Sequence, residues 1–284
     1  MPIAPPLVLY LLAIVGASLL GGKLASLMRM THLRTQLLMS GVGGLMLGIA
    51  MMHLLPHATA ALGSPTRAGT GALAGLTVMF LLIRLFHTHD HELPVVEPDL
   101  RDGTTGHADH PAHCQHHHHT DPRGISWAGL FLGLVLHTMV DGVALASSVL
   151  ADGGGSTWWP PAGLGTFLAV LLHKPLDAFA ITSVMNRQHW GSNAQNIANA
   201  AFSVACPIGA VAFYFGVASS PDTSTVLGWG LAVSAGFFVG IALADLLPEV
   251  AFHDHDRGKL TFAFLVGIAA AVAIENLPGH THGV

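Results

Sequence analysis

Long apolar runs separated by short polar connections make up most of this sequence. A helix that crosses the apolar part of a bilayer needs about 20 mainly apolar residues. Eight runs meet that requirement, and the connections between them hold the Gly, Pro and charged residues that are typical of turns. The pattern predicts eight transmembrane helices, called spans 1 to 8 below, near residues 6–28, 36–60, 70–87, 125–150, 161–186, 194–217, 226–250 and 259–277.

The composition favours an integral membrane protein. Of the 284 residues, 51% are hydrophobic and 10% are charged, whereas a soluble domain carries about 25% charged residues. The net charge of -5 gives no support for a nucleic-acid partner. No basic stretch precedes the first apolar run, so we interpret that run as a retained helix rather than a cleaved signal. We therefore treat residues 1–284 as one transmembrane domain in a lipid bilayer.

Lysine and arginine predict the orientation of the chain. They gather at the odd-numbered connections, while the even-numbered connections and both ends hold only Arg67. Basic residues collect on the cytoplasmic side of a membrane. The odd connections are therefore expected inside and both termini outside. The basic residues of the odd connections are Lys23, Arg29, Arg34, Arg84, Arg101, Arg123, Arg187, Arg257 and Lys259.

The third connection is unusually rich in histidine. Ten of the 20 histidines lie between His87 and His119, including the run formed by His116, His117, His118 and His119. A histidine-rich polar tract is a compositional signal for metal binding. Loose metal capture and a disordered loop with no specific site both fit residues 88–123. We expect this segment to be disordered and cytoplasmic in either case.

Spans 2 and 7 contain similar sequences. The stretch from Gly44 to His57 aligns without a gap to the stretch from Gly236 to Glu249, with seven identical positions. The two spans cross the membrane in opposite directions, which is typical of inverted-topology repeats. We therefore expect an all-α bundle in a 3+2+3 inverted repeat, in which spans 1–3 correspond to spans 6–8. Chance similarity between two Gly-, Ala- and Leu-rich helices is the alternative.

Two pairs of ionisable residues lie inside spans 4 and 5. His137 precedes Asp141 by four residues, and His173 precedes Asp177 by the same distance. Residues four apart share one face of a helix, and an ionisable group within lipid is costly and usually functional. Imidazole and carboxylate donors suit Zn²⁺, with Fe²⁺ or Mn²⁺ as alternatives. The pairs predict one dication between the two spans, although a His can simply pack and an Asp can pair with Lys174.

Further polar residues are candidates for an ion pathway. His53 and His57 lie near the predicted outer end of span 2, and Asp245 and Glu249 lie near the inner end of span 7. They could guide ions to and from the centre, or His57 and Glu249 could be interfacial caps. Gly142 belongs to a surface of small residues on span 4, which we expect to allow close approach of span 5.

These motifs resemble the ZIP (Zrt-, Irt-like) family of divalent metal transporters. His137-Thr138-Met-Val-Asp141-Gly142 is similar to the family's HNxxDG, and His173-Lys174-Pro-Leu-Asp177 to its HExPHE. The resemblance implies uptake of Zn²⁺, or of Cd²⁺, Fe²⁺ or Mn²⁺, into the cytoplasm. It also implies homodimers, and we expect a multi-pass protein of the cell (inner) membrane without an organic cofactor or enzymatic activity.

In the family, these two motifs often form a two-metal centre. The chain departs from the family at the second metal site of that centre. Thr138 stands where the family has Asn, and Lys174 stands where it has an acidic residue. We expect the Lys174 ammonium to substitute for the second cation and leave a mononuclear site.

Two other functions fit paired His and Asp residues. A cation-diffusion exporter would have six spans and cytoplasmic termini. An intramembrane zinc hydrolase would need an acid/base Glu beside the metal, and the sequence contains no HExxH motif.

Overall fold

The computed structural model describes residues 4–27, 32–86, 127–153, 160–252 and 257–277, and it describes their side chains except at 24–27, 32, 86, 127 and 245–252. Within these ranges every regular element is a helix. The helices are α1 (Pro5–Leu27), α2 (His32–Ile49), a π-helical segment (Ala50–Leu54), α3 (Leu55–Leu62), α4 (Pro65–Phe86), α5 (Trp127–Ala151), α6 (Leu164–Arg187), α7 (Ser192–Ser203), α8 (Ala205–Ser219), α9 (Thr223–Phe252) and α10 (Arg257–Glu275).

The described residues contain eight helices that are long and apolar enough to cross a membrane, which confirms the predicted number of spans. Span 2 comprises α2, the π-helical segment and α3, while α7 and α8 together form span 6. Spans 4 and 5 are α5 and α6. Span 3 starts at Pro65 rather than at residue 70, because the fixed φ of proline and its missing N–H suit the first turn of a helix.

The helices pack most extensively in four pairs: α2 with α10, α4 with α9, α5 with α8, and α1 with α6. Glycines bring all four pairs into backbone contact, beginning with the first two. A Cβ atom on Gly44 would overlap the carbonyl of Phe264 in α10, and a Cβ atom on Gly236 would overlap the carbonyl of Ala72 in α4. Small residues of this kind let helices approach closely where lipid supplies no hydrophobic driving force.

Each of the helices α5 and α6 packs most closely against one other helix, α5 against α8 and α6 against α1. Gly21 of α1 lies against the backbone of Pro175, and α6 continues as a helix through this proline. Gly209 of α8 lies against the backbone of Met139 in α5. Gly142 also faces α8, since its Cβ would overlap the carbonyl of Cys206. The expectation that Gly142 lets spans 4 and 5 approach each other is therefore wrong.

Candidate metal centre

The two predicted His/Asp pairs meet near the middle of α5 and α6. Each of the four side chains offers a donor atom, and these atoms all lie within 4.8 Å of one another. The side chains of His137, Asp141 and His173 are at most 6% exposed, whereas Asp177 retains 18% exposure. The face of each helix that carries its own pair is therefore turned toward the pair on the other helix.

The distances place both imidazoles against both carboxylates. Nε2 of His137 lies 3.5 Å from Oδ2 of Asp141 and 3.7 Å from Oδ2 of Asp177. Nε2 of His173 lies 3.3 Å and 3.8 Å from the same two oxygens. Two imidazole nitrogens and two carboxylate oxygens form a donor set that a tetrahedral zinc ion accepts.

The backbone of α6 orients one of the two rings. Nδ1 of His173 donates a hydrogen bond to the carbonyl of Ala169 at 2.7 Å. A proton on Nδ1 leaves the lone pair of Nε2 directed at the two aspartates, and this is the tautomer that a metal ligand requires. His173 is thereby prepared to bind a cation through Nε2.

A buried lysine lies among the same donor atoms. Lys174 is 1% exposed, and its Nζ donates to Oγ1 of Thr138 at 3.0 Å and to Oδ2 of Asp177 at 3.1 Å. It also donates to Oδ2 of Asp141. The ring of Phe202 lies 5.6 Å from Nζ, within the range of a cation–π contact. The ammonium of Lys174 therefore contacts both aspartates, as the alternative of an Asp–Lys174 pair allowed.

A second cluster of imidazole and carboxylate groups lies where span 2 meets the C-terminal ends of α5 and α10. Nδ1 of His53 is 3.1 Å from Oε2 of Glu275, and its Nε2 is 2.8 Å from Oγ of Ser148. Nε2 of His53 and Nε2 of His57 lie 3.6 Å and 3.7 Å from Oδ1 of Asp152. Sequence reasoning identified the two histidines but missed the other three residues.

The missed residues carried different signals. Glu275 lies inside the predicted span 8, so an ionisable residue within an apolar run could have marked it. Asp152 follows the last turn of span 4 and resembles an ordinary interfacial residue. Ser148 has no sequence signal that distinguishes it from a packing residue.

The remaining predicted site residues are outside what the structure describes. Asp245 and Glu249 belong to α9, but their side chains are outside what the structure describes. The segment 88–123, with the run from His116 to His119, also lies outside the described residues. Their predicted roles stay predictions.

The fold is that of a polytopic helical membrane protein, and its buried cluster of imidazole and carboxylate donors fits a metal ion. Residues 6–275 match the family described as "ZIP Zinc transporter". The chain therefore belongs to the ZIP zinc transporter family, which confirms the resemblance inferred from its motifs.

Individual relatives agree with this assignment. The chain is 32% identical to "Zinc transporter ZIP9" of Macaca fascicularis over 132 residues, which cover 44% of this chain and 53% of that protein. It is 27% identical to "Zinc transporter ZIP4" of Homo sapiens over 78% of this chain and 39% of that protein. It is 26% identical to "Zinc transporter 3" of Arabidopsis thaliana over 80% of this chain and 67% of that protein. The matched part spans 53% of the first of these relatives.

Proposed function

We propose that this protein is a secondary transporter that carries divalent transition metal ions, chiefly Zn²⁺, into the cytoplasm. The observation that carries the proposal is the convergence of four donor atoms within 4.8 Å between two membrane-spanning helices. Ionisable groups inside a membrane mark ion pathways by default. The names of the ZIP relatives support zinc as the substrate. Cd²⁺, Fe²⁺ and Mn²⁺ are alternative substrates for the same nitrogen and oxygen donors.

The ligand set suits a site that must release its ion. His137, Asp141, His173 and Asp177 supply no thiolate, and soft thiolate ligands would hold zinc more tightly. The two carboxylates balance the two positive charges of the bound ion. A dication bound here therefore carries a smaller desolvation penalty than an unpaired ion in the membrane interior.

Lys174 gives the site a resident counter-ion. In the structure its ammonium holds both aspartates through their Oδ2 atoms, and these are the oxygens that face the two imidazoles. For zinc to bind these oxygens the ammonium must withdraw from them, and its existing hydrogen bond to Thr138 can keep it beside the site. When zinc leaves, the ammonium returns, so the buried carboxylates keep a positive partner. We propose a mononuclear site for the same reason, since a second dication would meet Lys174.

Packing contacts support the proposed 3+2+3 inverted repeat. Each close glycine contact between α2 and α10 has a counterpart between α9 and α4, and the numbers of corresponding residues differ by 192 in every case. The corresponding contacts are Gly44–Phe264 with Gly236–Ala72, Gly48–Ala271 with Gly240–Met79, and Gly267–Gly41 with Gly75–Val233. These matched partners favour the repeat over chance similarity of sequence.

The remaining parts of the proposal rest on charge and on the family. The basic residues at the odd-numbered connections support a cytoplasmic position for those connections and external termini. We extend to this chain the homodimer and the cell (inner) membrane that the family resemblance implies. Family membership does not favour a cation-diffusion exporter or a zinc hydrolase, and we propose no enzymatic activity.

The decisive experiment measures zinc flux into proteoliposomes. Asp141→Asn and His173→Ala should reduce flux to background, because each removes a donor from the only central ligand set proposed. His189→Asn is a matched control: His189 is exposed on a loop with φ 59, a conformation that asparagine tolerates. Flux equal to the parent in both site variants would show that the assigned site is wrong. Parallel assays with Fe²⁺, Mn²⁺ and Cd²⁺ under imposed pH gradients would define the substrate range and proton coupling.

A further inference from the structure

The cluster around His53 differs from a set of interfacial caps in its burial. The side chains of His53, Asp152 and Glu275 are 4%, 7% and 6% exposed, while His57 at 22% retains contact with the surface. Three separate spans supply these groups, and the ion pairs within the cluster all join an imidazole to a carboxylate. Two carboxylates removed from water to this extent require cationic partners.

The backbone of span 2 is unusual at this point. His53 lies in the π-helical segment Ala50–Leu54, whereas the aligned residues 242–246 of span 7 are α-helical within α9. Single π-helical turns are rare and occur frequently at functional sites. The aligned segment of α9 is a regular α-helix, so helix packing alone does not explain the π-helical segment. This segment contains His53, the residue that contacts Glu275, Asp152 and Ser148.

We infer that His53, His57 and Glu275 form a second transition-metal site, with Asp152 beside both histidines, separate from the central one and on the membrane side where α10 ends. The donor atoms of His53, His57 and Glu275 lie within 4.8 Å of one another, and Asp152 adds a carboxylate oxygen within 3.7 Å of Nε2 of both histidines. Mixed nitrogen and oxygen donors suit Zn²⁺ and other borderline dications. The exposed edge of His57 provides access from the surface.

A short polar connection points from this second site toward the centre. Ser148 contacts His53 and accepts a hydrogen bond from Thr166 of α6 at 3.0 Å. Ser148 follows Asp141 by seven residues, and Thr166 precedes His173 by seven, so both lie two helical turns, roughly 10 Å, from the central ligands. The second site is therefore adjacent to the first along the same two helix faces.

An apolar layer separates the two sites. The helix positions between them are occupied by Ala144, Leu145, Ala169 and Val170, all 0% exposed. An ion held by His53 and Glu275 cannot reach His173 until this layer opens. We assign the second site the role of loading the central site. That role rests on the proposed transport function, whereas the metal binding itself does not.

The first test counts bound zinc in the purified full-length protein. The ten histidines between His87 and His119 are changed to serine, so that the loop does not contribute to the count. After incubation with Zn²⁺ and desalting, metal per protein is measured by mass spectrometry. His57→Gln and Glu275→Gln should each bind one zinc ion fewer than the parent, because the second site is lost. His173→Ala should also bind one zinc ion fewer, because the central site is lost. Combining Glu275→Gln with His173→Ala should remove both, and His189→Asn should remove neither.

The outcomes separate the two proposals. Unchanged zinc content in both His57→Gln and Glu275→Gln would overturn the second site while leaving the central site intact. Thermal unfolding checks the fold of every variant. Glu275→Asp keeps the carboxylate and should retain the zinc ion of the second site. For the loading role, zinc flux in Glu275→Gln should show a KM raised about tenfold at an unchanged maximal rate, equivalent to about 1.4 kcal/mol. An unchanged KM would overturn that role.

Discussion

The ammonium of Lys174 lies 3.1 Å from Oδ2 of Asp177, three residues further along α6, and it is also bound to Asp141 of α5. One side chain therefore joins the two helices that carry the ligands. Breaking a buried pair by removing one partner costs about 3–5 kcal/mol, because the other charge is left uncompensated. The metal-free site depends on this lysine, and a metal ion at the proposed site would compete with it for the two aspartates.

Replacement of this lysine should separate stability from affinity. Lys174→Met removes the ammonium but keeps a long apolar stem, so the metal-free protein should unfold at a lower temperature. Zinc should then bind at least about tenfold more tightly, since it no longer displaces a cation. Thermal unfolding with and without zinc, together with calorimetric titration, measures both effects. Lys259→Met on the exposed face of α10 is the control, and equal zinc affinity in parent and Lys174→Met would contradict the displacement.

A carboxylate at the same position should change the number of ions bound. Lys174→Asp places an acidic group beside Asp141, Asp177 and Thr138, where the ammonium now excludes a second dication. Zinc per central site should rise from one toward two. Metal content is compared with that of Lys174→Met in the background that lacks the loop histidines. An identical zinc content in the two variants would refute the cation-substitute role.

The symmetric glycine contacts predict equal damage in the two halves. Gly44→Ala and Gly236→Ala would each drive a methyl group into a backbone carbonyl of the neighbouring helix. Overpacking of this kind costs about 1–3 kcal/mol or more. Gly69→Ala, where nothing lies within 4 Å, is the matched control and should be neutral or slightly stabilising. Thermal unfolding in detergent ranks the three variants, and a marked loss in only one half would contradict equivalent packing.

The orientation can be tested with single cysteines. Cys114→Ser and Cys206→Ser provide the background, and Thr66→Cys or Asn193→Cys adds one exposed reporter. The distribution of basic residues predicts that Thr66 lies outside and Asn193 inside. A membrane-impermeant maleimide added to intact cells should therefore label Thr66→Cys alone. Labelling of Asn193→Cys instead would show that the topology is opposite to the predicted one, and the proposed direction of transport would then be reversed as well.

The sequence was sufficient for features that depend on local pattern. Apolar length identified the eight spans, and the four-residue spacing placed His137 with Asp141 and His173 with Asp177 on single helix faces. Burial within lipid also required these groups to find polar partners, and the structure supplies them from the other pair and from Lys174. Such features can be predicted because a chain segment inside the bilayer has few alternatives to a helix.

Features that depend on contacts between distant residues could not be predicted. Glu275 lies 222 positions from His53 and Ser148 lies 95 from it, so no periodic pattern connects them. Gly142 illustrates the same limit, since its small size was visible while the neighbour it touches was not. The place of Lys174 among the donors was expected only from the resemblance to the family's two-metal centre, because a position next to His173 does not by itself determine how α5 and α6 pack around it.

The apolar layer formed by Ala144, Leu145, Ala169 and Val170 has a consequence for the proposed transport. Under that proposal, an ion passes these four buried aliphatic side chains only when the helices move apart. Turnover is then set by how often that movement occurs, rather than by diffusion through an open channel.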